Sequence, residues 1–184
     1  MLEIEVIKDI SIIDINDILG FIEYFPENIK AKYQNITNVD YLKESIIGYL
    51  MLIFKIKEKY GIYYFPNYKP GKPFDKFLDF YFSISHSNNM VCLAVSDKNI
   101  GVDIEKIRNV SKRFIAKMKM KTSLEALTSW TKREARFKLN NNLKLMDDNI
   151  KDVFIYTKVK EEDGYIISIA FDKENDCLLD EFKL

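Results

Sequence analysis

Residues 39–60 carry the strongest helical pattern in the chain and limit what can be built around it. Val39, Leu42, Ile46, Tyr49, Leu50 and Ile53 recur at three- and four-residue steps, and Gly61 stops the run. A helix this long forms the core of the first half of the chain, and Tyr49 and Met51 on it read as packing. Leu2–Ile7 alternates as a first strand. Residues 9–25 read as a short helix and a turn closing at Pro26, followed by a polar segment with Lys30 and Lys32. Residues 80–85 and 90–96 form two predicted strands joined by His86-Ser87-Asn88-Asn89, a hairpin. The second of these is nearly all apolar, as for a strand buried on both faces.

After a turn at Asp97-Lys98-Asn99 comes a strand over 100–105. A second helix is predicted over 123–139, with Ser123 as N-cap and Leu124, Leu127, Trp130 and Phe137 at helical spacing. Residues 153–159 and 165–171 flank Glu161-Glu162-Asp163-Gly164, which predicts a closing hairpin. Each half holds a helix and several strands, although no residue-level repeat links them. The last residues are acidic and read as a surface tail.

The chain has 184 residues and a formal net charge of zero, so nothing in its overall charge calls for nucleic acid or a membrane surface. Cys92 and Cys177 are too few for a disulfide framework and lack metal-site spacing, which fits a reducing, cytoplasmic setting. The start, Met-Leu-Glu-Ile-Glu, lacks the basic and apolar blocks of a signal peptide, and the most apolar run, 46–54, is too short to span a bilayer.

Four stretches are candidates for chemistry. In the 100–105 strand, Ile100, Val102 and Ile104 alternate with Gly101, Asp103 and Glu105, so the two carboxylates emerge side by side on one face. Neighbouring carboxylates repel unless a cation lies between them, and a hard ion such as Mg²⁺ suits oxygen ligands. A solvated strand face with two charges gives the same pattern. In Lys69-Pro70-Gly71-Lys72-Pro73 the prolines stiffen the loop that presents Lys72, which suits an anion-binding lysine or an ordinary turn. His86, the one histidine, falls at a strand end between Ser85 and Ser87; the three can bond a phosphate, or the histidine can satisfy a local backbone group. Trp130, Glu134 and Lys138, four apart, lie along one helix face, where Glu134 and Lys138 could also form a surface ion pair. Between these, residues 106–121 hold seven basic side chains and no acidic one, a solvated face or a surface for an acidic partner.

In order and rough spacing, Gly71-Lys72-Pro73, Phe82-Ser83-Ile84-Ser85-His86-Ser87, Gly101-Val102-Asp103-Ile104-Glu105 and Trp130-Thr131-Lys132-Arg133-Glu134-Ala135-Arg136-Phe137-Lys138 resemble the Sfp-type phosphopantetheinyl transferases over about residues 24–139. The resemblance implies an α+β fold of two similar lobes, 1–97 and 98–184, related by a pseudo-twofold with the ligand site at their interface. It implies Mg²⁺-dependent transfer of the phosphopantetheine arm of coenzyme A to a serine of an apo carrier protein, by a monomer. By resemblance, Asp103, Glu105 and Glu134 hold the metal; Glu134 is the general base; Lys138 neutralises the pyrophosphate; Lys72, Ser85, His86 and Lys138 contact coenzyme A. Trp130 is a packing anchor, and the basic 106–121 stretch suits an acidic carrier. The family's asparagine is Ser83 here, the lysine before the catalytic glutamate is Arg133, and the first long helix reads Lys43-Glu44 where an arginine usually serves the nucleotide's 3′-phosphate. A coenzyme A- or carrier-binding relative without transfer activity, and an unrelated α+β interaction protein, are the alternatives.

Overall fold

A computed structural model describes residues 2–66, 75, 77–140 and 153–172. Lys72, Cys177 and the acidic tail lie outside the described residues. The elements in chain order are β1 (Leu2–Ile7), α1 (Ile15–Ile22), α2 (Glu27–Tyr33), α3 (Val39–Tyr60), β2 (Tyr81–Ser87), β3 (Met90–Ser96), β4 (Ile100–Lys106), α4 (Lys112–Lys117), α5 (Ser123–Asn140), β5 (Phe154–Lys160) and β6 (Tyr165–Phe171). The fold is α+β, with two three-stranded antiparallel sheets ordered β1-β3-β2 and β4-β6-β5. Each half runs strand, long helix, hairpin, and in each the last strand of the hairpin sits in the middle. No described helix is long and apolar enough to cross a membrane.

The cores follow from the alternation of side chains along β3. Val91, Leu93 and Val95 face α3 and join Ile46, Leu52, Ile53 and Ile56 in one core. Met90, Cys92 and Ala94 face the other way and pack with Ile100, Val102, Ile104, Ile167, Ile169 and Phe171 between the sheets. Every residue of β3 is buried, as its unbroken apolar run predicts. Burial also pushes the Cys92 thiol up to about 12, so it packs as a small apolar group. The 39–60 helix stands as predicted, capped by the Asn38 side chain at one end and by Gly61, at φ 73°, at the other.

Four local expectations change. The 86–89 turn contracts to Asn88-Asn89, whose φ values of 50° and 66° close a two-residue hairpin, so His86 and Ser87 belong to β2. The polar segment with Lys30 and Lys32 is the helix α2, which buries Ile29 and Tyr33; seven residues are too few for a clear period. The cap of α5 is Thr122, not Ser123: the Thr122 hydroxyl accepts from Glu125 N–H at 3.2 Å, and the Glu125 carboxylate accepts from Thr122 N–H at 3.1 Å. Lys138 pairs with Asp103 and not with Glu134, because that face of α5 is turned inward onto β4.

The two sheets are joined by serines. β2 lies against the open edge of β4, and Ser83, Ser85 and Ser87 point at it with the period of a strand. The Ser83 hydroxyl accepts from Val102 N–H at 3.0 Å, Ser85 accepts from Ile104 N–H at 3.2 Å, and Ser87 donates to Glu105 at 2.7 Å. Side chains of one sheet thus satisfy backbone groups of the other that no strand reaches. The Ser83→Ala variant strands a buried N–H, and a loss of about 1–3 kcal/mol in a urea unfolding titration is the expected result.

Candidate active site at the β4–α5 contact

Gly101 decides how close α5 comes to β4. A Cβ there would overlap the carbonyl oxygen of Ala135 and lie 2.6 Å from the Leu139 nitrogen. With hydrogen in that place the helix backbone rests directly on the strand. Glu134 and Lys138, which flank Ala135 and Leu139 in sequence, are thereby set beside Asp103. At the other side of α5, Trp130 meets Phe114 of α4 edge to face at 5.9 Å and anchors the helix, as expected of it.

Asp103 is buried, 5 % exposed, and does not lie on a solvated face. Its Oδ1 accepts from Lys138 Nζ at 2.7 Å and from the Ser85 hydroxyl at 2.8 Å, while Lys138 also donates to Ser85 Oγ at 2.7 Å. Counting Ile104 N–H, the Ser85 hydroxyl gives its one proton and fills both acceptor positions. Ser85 therefore holds the cluster together. Glu105, on the same strand face, accepts from Ser87 and from Arg108 Nη1, the latter at 2.6 Å. Arg108 belongs to the basic 106–121 stretch, so part of that stretch turns back to the carboxylates.

Charge in this cluster is unevenly compensated. Burial pushes the Asp103 carboxyl above its ordinary value, against the pull of Lys138 and Ser85, and Glu105 adds to the push. Glu134 is likewise raised, first by burial and then by Asp103 and Glu105, with Lys138 opposing. Glu134 makes no hydrogen bond among the described residues, which leaves its oxygens open. Both raised groups hold their protons more tightly folded than unfolded. The stability they contribute is present below their ordinary values of 3.8 and 4.5 and is lost as pH rises through the raised ones. The Glu134→Gln variant, which carries no charge at any pH, should match the parent in unfolding midpoint at low pH. It should become the more stable of the two as pH rises past 4.5, and urea titrations across that range read the difference.

Whether a hard cation suits these residues can be judged from Asp103. Its Oδ2 is buried with no hydrogen-bond partner, beside two further carboxylates that repel it. That donor set fits a divalent ion in charge and in ligand type. Among the described residues, however, no three such side chains already converge in metal-holding geometry. Lys138 supplies the positive charge at Asp103, and Arg108 supplies it at Glu105.

His86 stands apart from this cluster, on the α3 side of β2. Its Nδ1 meets Glu44 Oε2 at 2.7 Å, its Nε2 meets Ser45 Oγ at 3.2 Å, and the Tyr41 ring abuts it edge-on at 4.9 Å. Glu44 is buried, and its other oxygen accepts from Asn89 N–H at 2.6 Å. Burial alone would raise the Glu44 carboxyl, but His86 and Asn89 together hold it below its ordinary value. Lys43 is directed elsewhere, to the carbonyls of Ile13 at 3.0 Å and Ser11 at 3.4 Å. Of the residues singled out in sequence, Ser85, Asp103 and Lys138 meet at one point, Glu105 and Glu134 adjoin them, and His86 is held by α3.

Sequence reasoning missed Glu44 and Ser45 as partners of His86, Arg108 as partner of Glu105, and Gly101 as the spacer. Only Gly101 left a readable mark, a glycine inside an otherwise apolar alternation. In comparisons with known proteins, no family model matches the chain, and no curated protein is significantly similar to it.

Proposed function

We propose that the chain transfers the 4′-phosphopantetheine arm of coenzyme A to a serine hydroxyl of an apo carrier protein, releasing adenosine 3′,5′-bisphosphate. The observation that carries this reading is the meeting of Ser85, Asp103 and Lys138. They come from three separate stretches of sequence and form one buried cluster, with Glu105 and Glu134 adjoining it. The shared strand order of the two halves supports the reading of 1–97 and 98–184 as lobes related by a pseudo-twofold, with coenzyme A between them.

The reaction needs a serine hydroxyl to attack a phosphorus of the pyrophosphate, and such transfers depend mostly on positioning and charge neutralisation. Glu134 takes the hydroxyl proton: its oxygens are open, and its raised affinity for a proton makes it a better base near neutrality. Lys138, one helical turn on, offers its ammonium to the phosphate oxygens and to the departing nucleotide. Asp103 and Ser85 fix that ammonium in place. Asp103, Glu105 and Glu134 would hold Mg²⁺, which when bound neutralises the charge developing on the transferred group.

A second reading, binding of coenzyme A or a carrier domain without transfer, is favoured by one observation. Lys138 already supplies at Asp103 the positive charge that a metal would bring. Intact mass spectrometry of apo carrier proteins, incubated with the chain, coenzyme A and Mg²⁺, separates the two. A gain of one phosphopantetheine, abolished by EDTA, supports transfer. Calorimetric binding of coenzyme A with no mass gain on any carrier supports the second reading.

A further inference from the structure

The edge of the first sheet remote from β2 is β1, which among the described residues pairs only with β3, in unbroken register from Leu2 to Ile7. Among the described residues its outer N–H and C=O groups have no backbone partner. Open edges are usually blunted by charged side chains, above all lysine, by proline or by a bulge. This strand, Leu-Glu-Ile-Glu-Val-Ile, has no lysine, proline or bulge, and its charges, Glu3 and Glu5, are both negative. Beside it runs a groove of about 550 Å³ between β1 and α3, lined by Glu5, Ile7, Met51, Phe54, Lys55 and Glu58. Phe54 is half exposed there, although it sits within the longest described helix.

The charge of this groove is one-sided. Lys55 Nζ contacts three carboxylates, Glu3, Glu5 at 3.3 Å and Glu58 at 2.9 Å. One cation for three anions leaves a surplus of negative charge. The lysine side chain is only 14 % exposed while those of Glu5 and Glu58 are 47 % and 71 % exposed, so an approaching partner meets carboxylates.

We propose that β1 and this groove take up an extended segment of a partner protein, with lysine or arginine side chains alternating with apolar ones, as a fourth strand of the sheet. Main-chain bonds to the open edge supply affinity without sequence preference. Strand alternation sets the basic side chains on the α3 side, their stems over Met51 and Phe54 and their charges against Glu5 and Glu58, and turns the apolar ones to the opposite face beside Ile4 and Val6. A second copy of this chain fits poorly, because pairing β1 with β1 brings Glu3 and Glu5 against their own like. The site does not involve the Asp103 cluster and stands independently of the transferase reading.

Titrating isotope-labelled protein with an acetylated ten-residue peptide of alternating lysine and valine tests this by amide chemical shifts. The expected result is saturable shifts confined to residues 2–7 and 51–58. Affinity should fall about tenfold in Glu5→Gln/Glu58→Gln, the loss of two partly exposed charge pairs. Binding should vanish when a central valine of the peptide is replaced by proline. Equal binding by a glutamate–valine peptide, shifts elsewhere, or no shifts at all would overturn the proposal. So would sedimentation showing that the chain dimerises through β1, which would make a second copy the occupant.

Discussion

On the proposed transferase reading, the Glu134→Gln variant is expected to transfer phosphopantetheine about 10²–10⁴ times more slowly than the parent, the usual contribution of a positioned proton acceptor. Glutamine keeps the shape of the side chain and cannot take the proton from the carrier serine. Glu134 makes no hydrogen bond among the described residues, so the substitution strands no partner and the fold should survive, as circular dichroism would show. Rates are read by mass spectrometry under single-turnover conditions. A variant that transfers at the parental rate would remove Glu134 from the mechanism. Asp103→Ala should also abolish transfer, but for a second reason: it leaves Lys138 half-buried without its carboxylate, so stability must be measured alongside rate.

The largest structural effect is expected at Gly101. Alanine in a strand ordinarily stabilises relative to glycine, by roughly 0.5–1 kcal/mol. Here the sign should reverse, since the new methyl would overlap the Ala135 carbonyl and crowd the Leu139 nitrogen, both backbone atoms of α5. A loss of about 3 kcal/mol, the upper part of the range for overpacking, corresponds to a fall of roughly 6–12 °C in Tm for a chain of this size. Pushing α5 away from β4 also separates Lys138 from Asp103, so any transfer activity should fall with stability. Gly20→Ala is the control. That glycine lies in α1 with nothing within 4 Å of a Cβ, and its replacement should raise stability by about 0.5–1 kcal/mol. Thermal unfolding of both variants reads the opposite signs directly.

Much of the fold was legible because its periods are clean. The 22-residue span of α3, the buried strand β3, the alternation of β4 and the closing hairpin follow from apolar spacing and from turn residues. The shorter pieces were not. α2 has too few residues for a period, and His86 and Ser87, being polar, read as part of the first hairpin turn although they belong to β2. Those two are polar for tertiary reasons: one faces Glu44 and Ser45 on α3, the other Glu105 on β4.

The candidate site divides in the same way. That Asp103 and Glu105 share one face, and Glu134 and Lys138 another, could be argued from spacing, since strand and helix periods fix which side chains share a face; a chemical role for them was implied only by the family resemblance. How they are paired could not be argued. The sequence allows Lys138 to pair with Glu134 one turn away, or Asp103 to lie in solvent. The observed burial of Asp103 against Lys138 and Ser85 comes from the docking of β2 and α5 on β4. That docking depends on a missing methyl at Gly101 and on serines that complete another sheet's backbone bonds. Local periodicity thus determined the elements and their apolar faces. The distances and protonation of the site were decided by contacts between residues far apart in sequence, because burial and through-space charge act across the fold and leave no period along the chain.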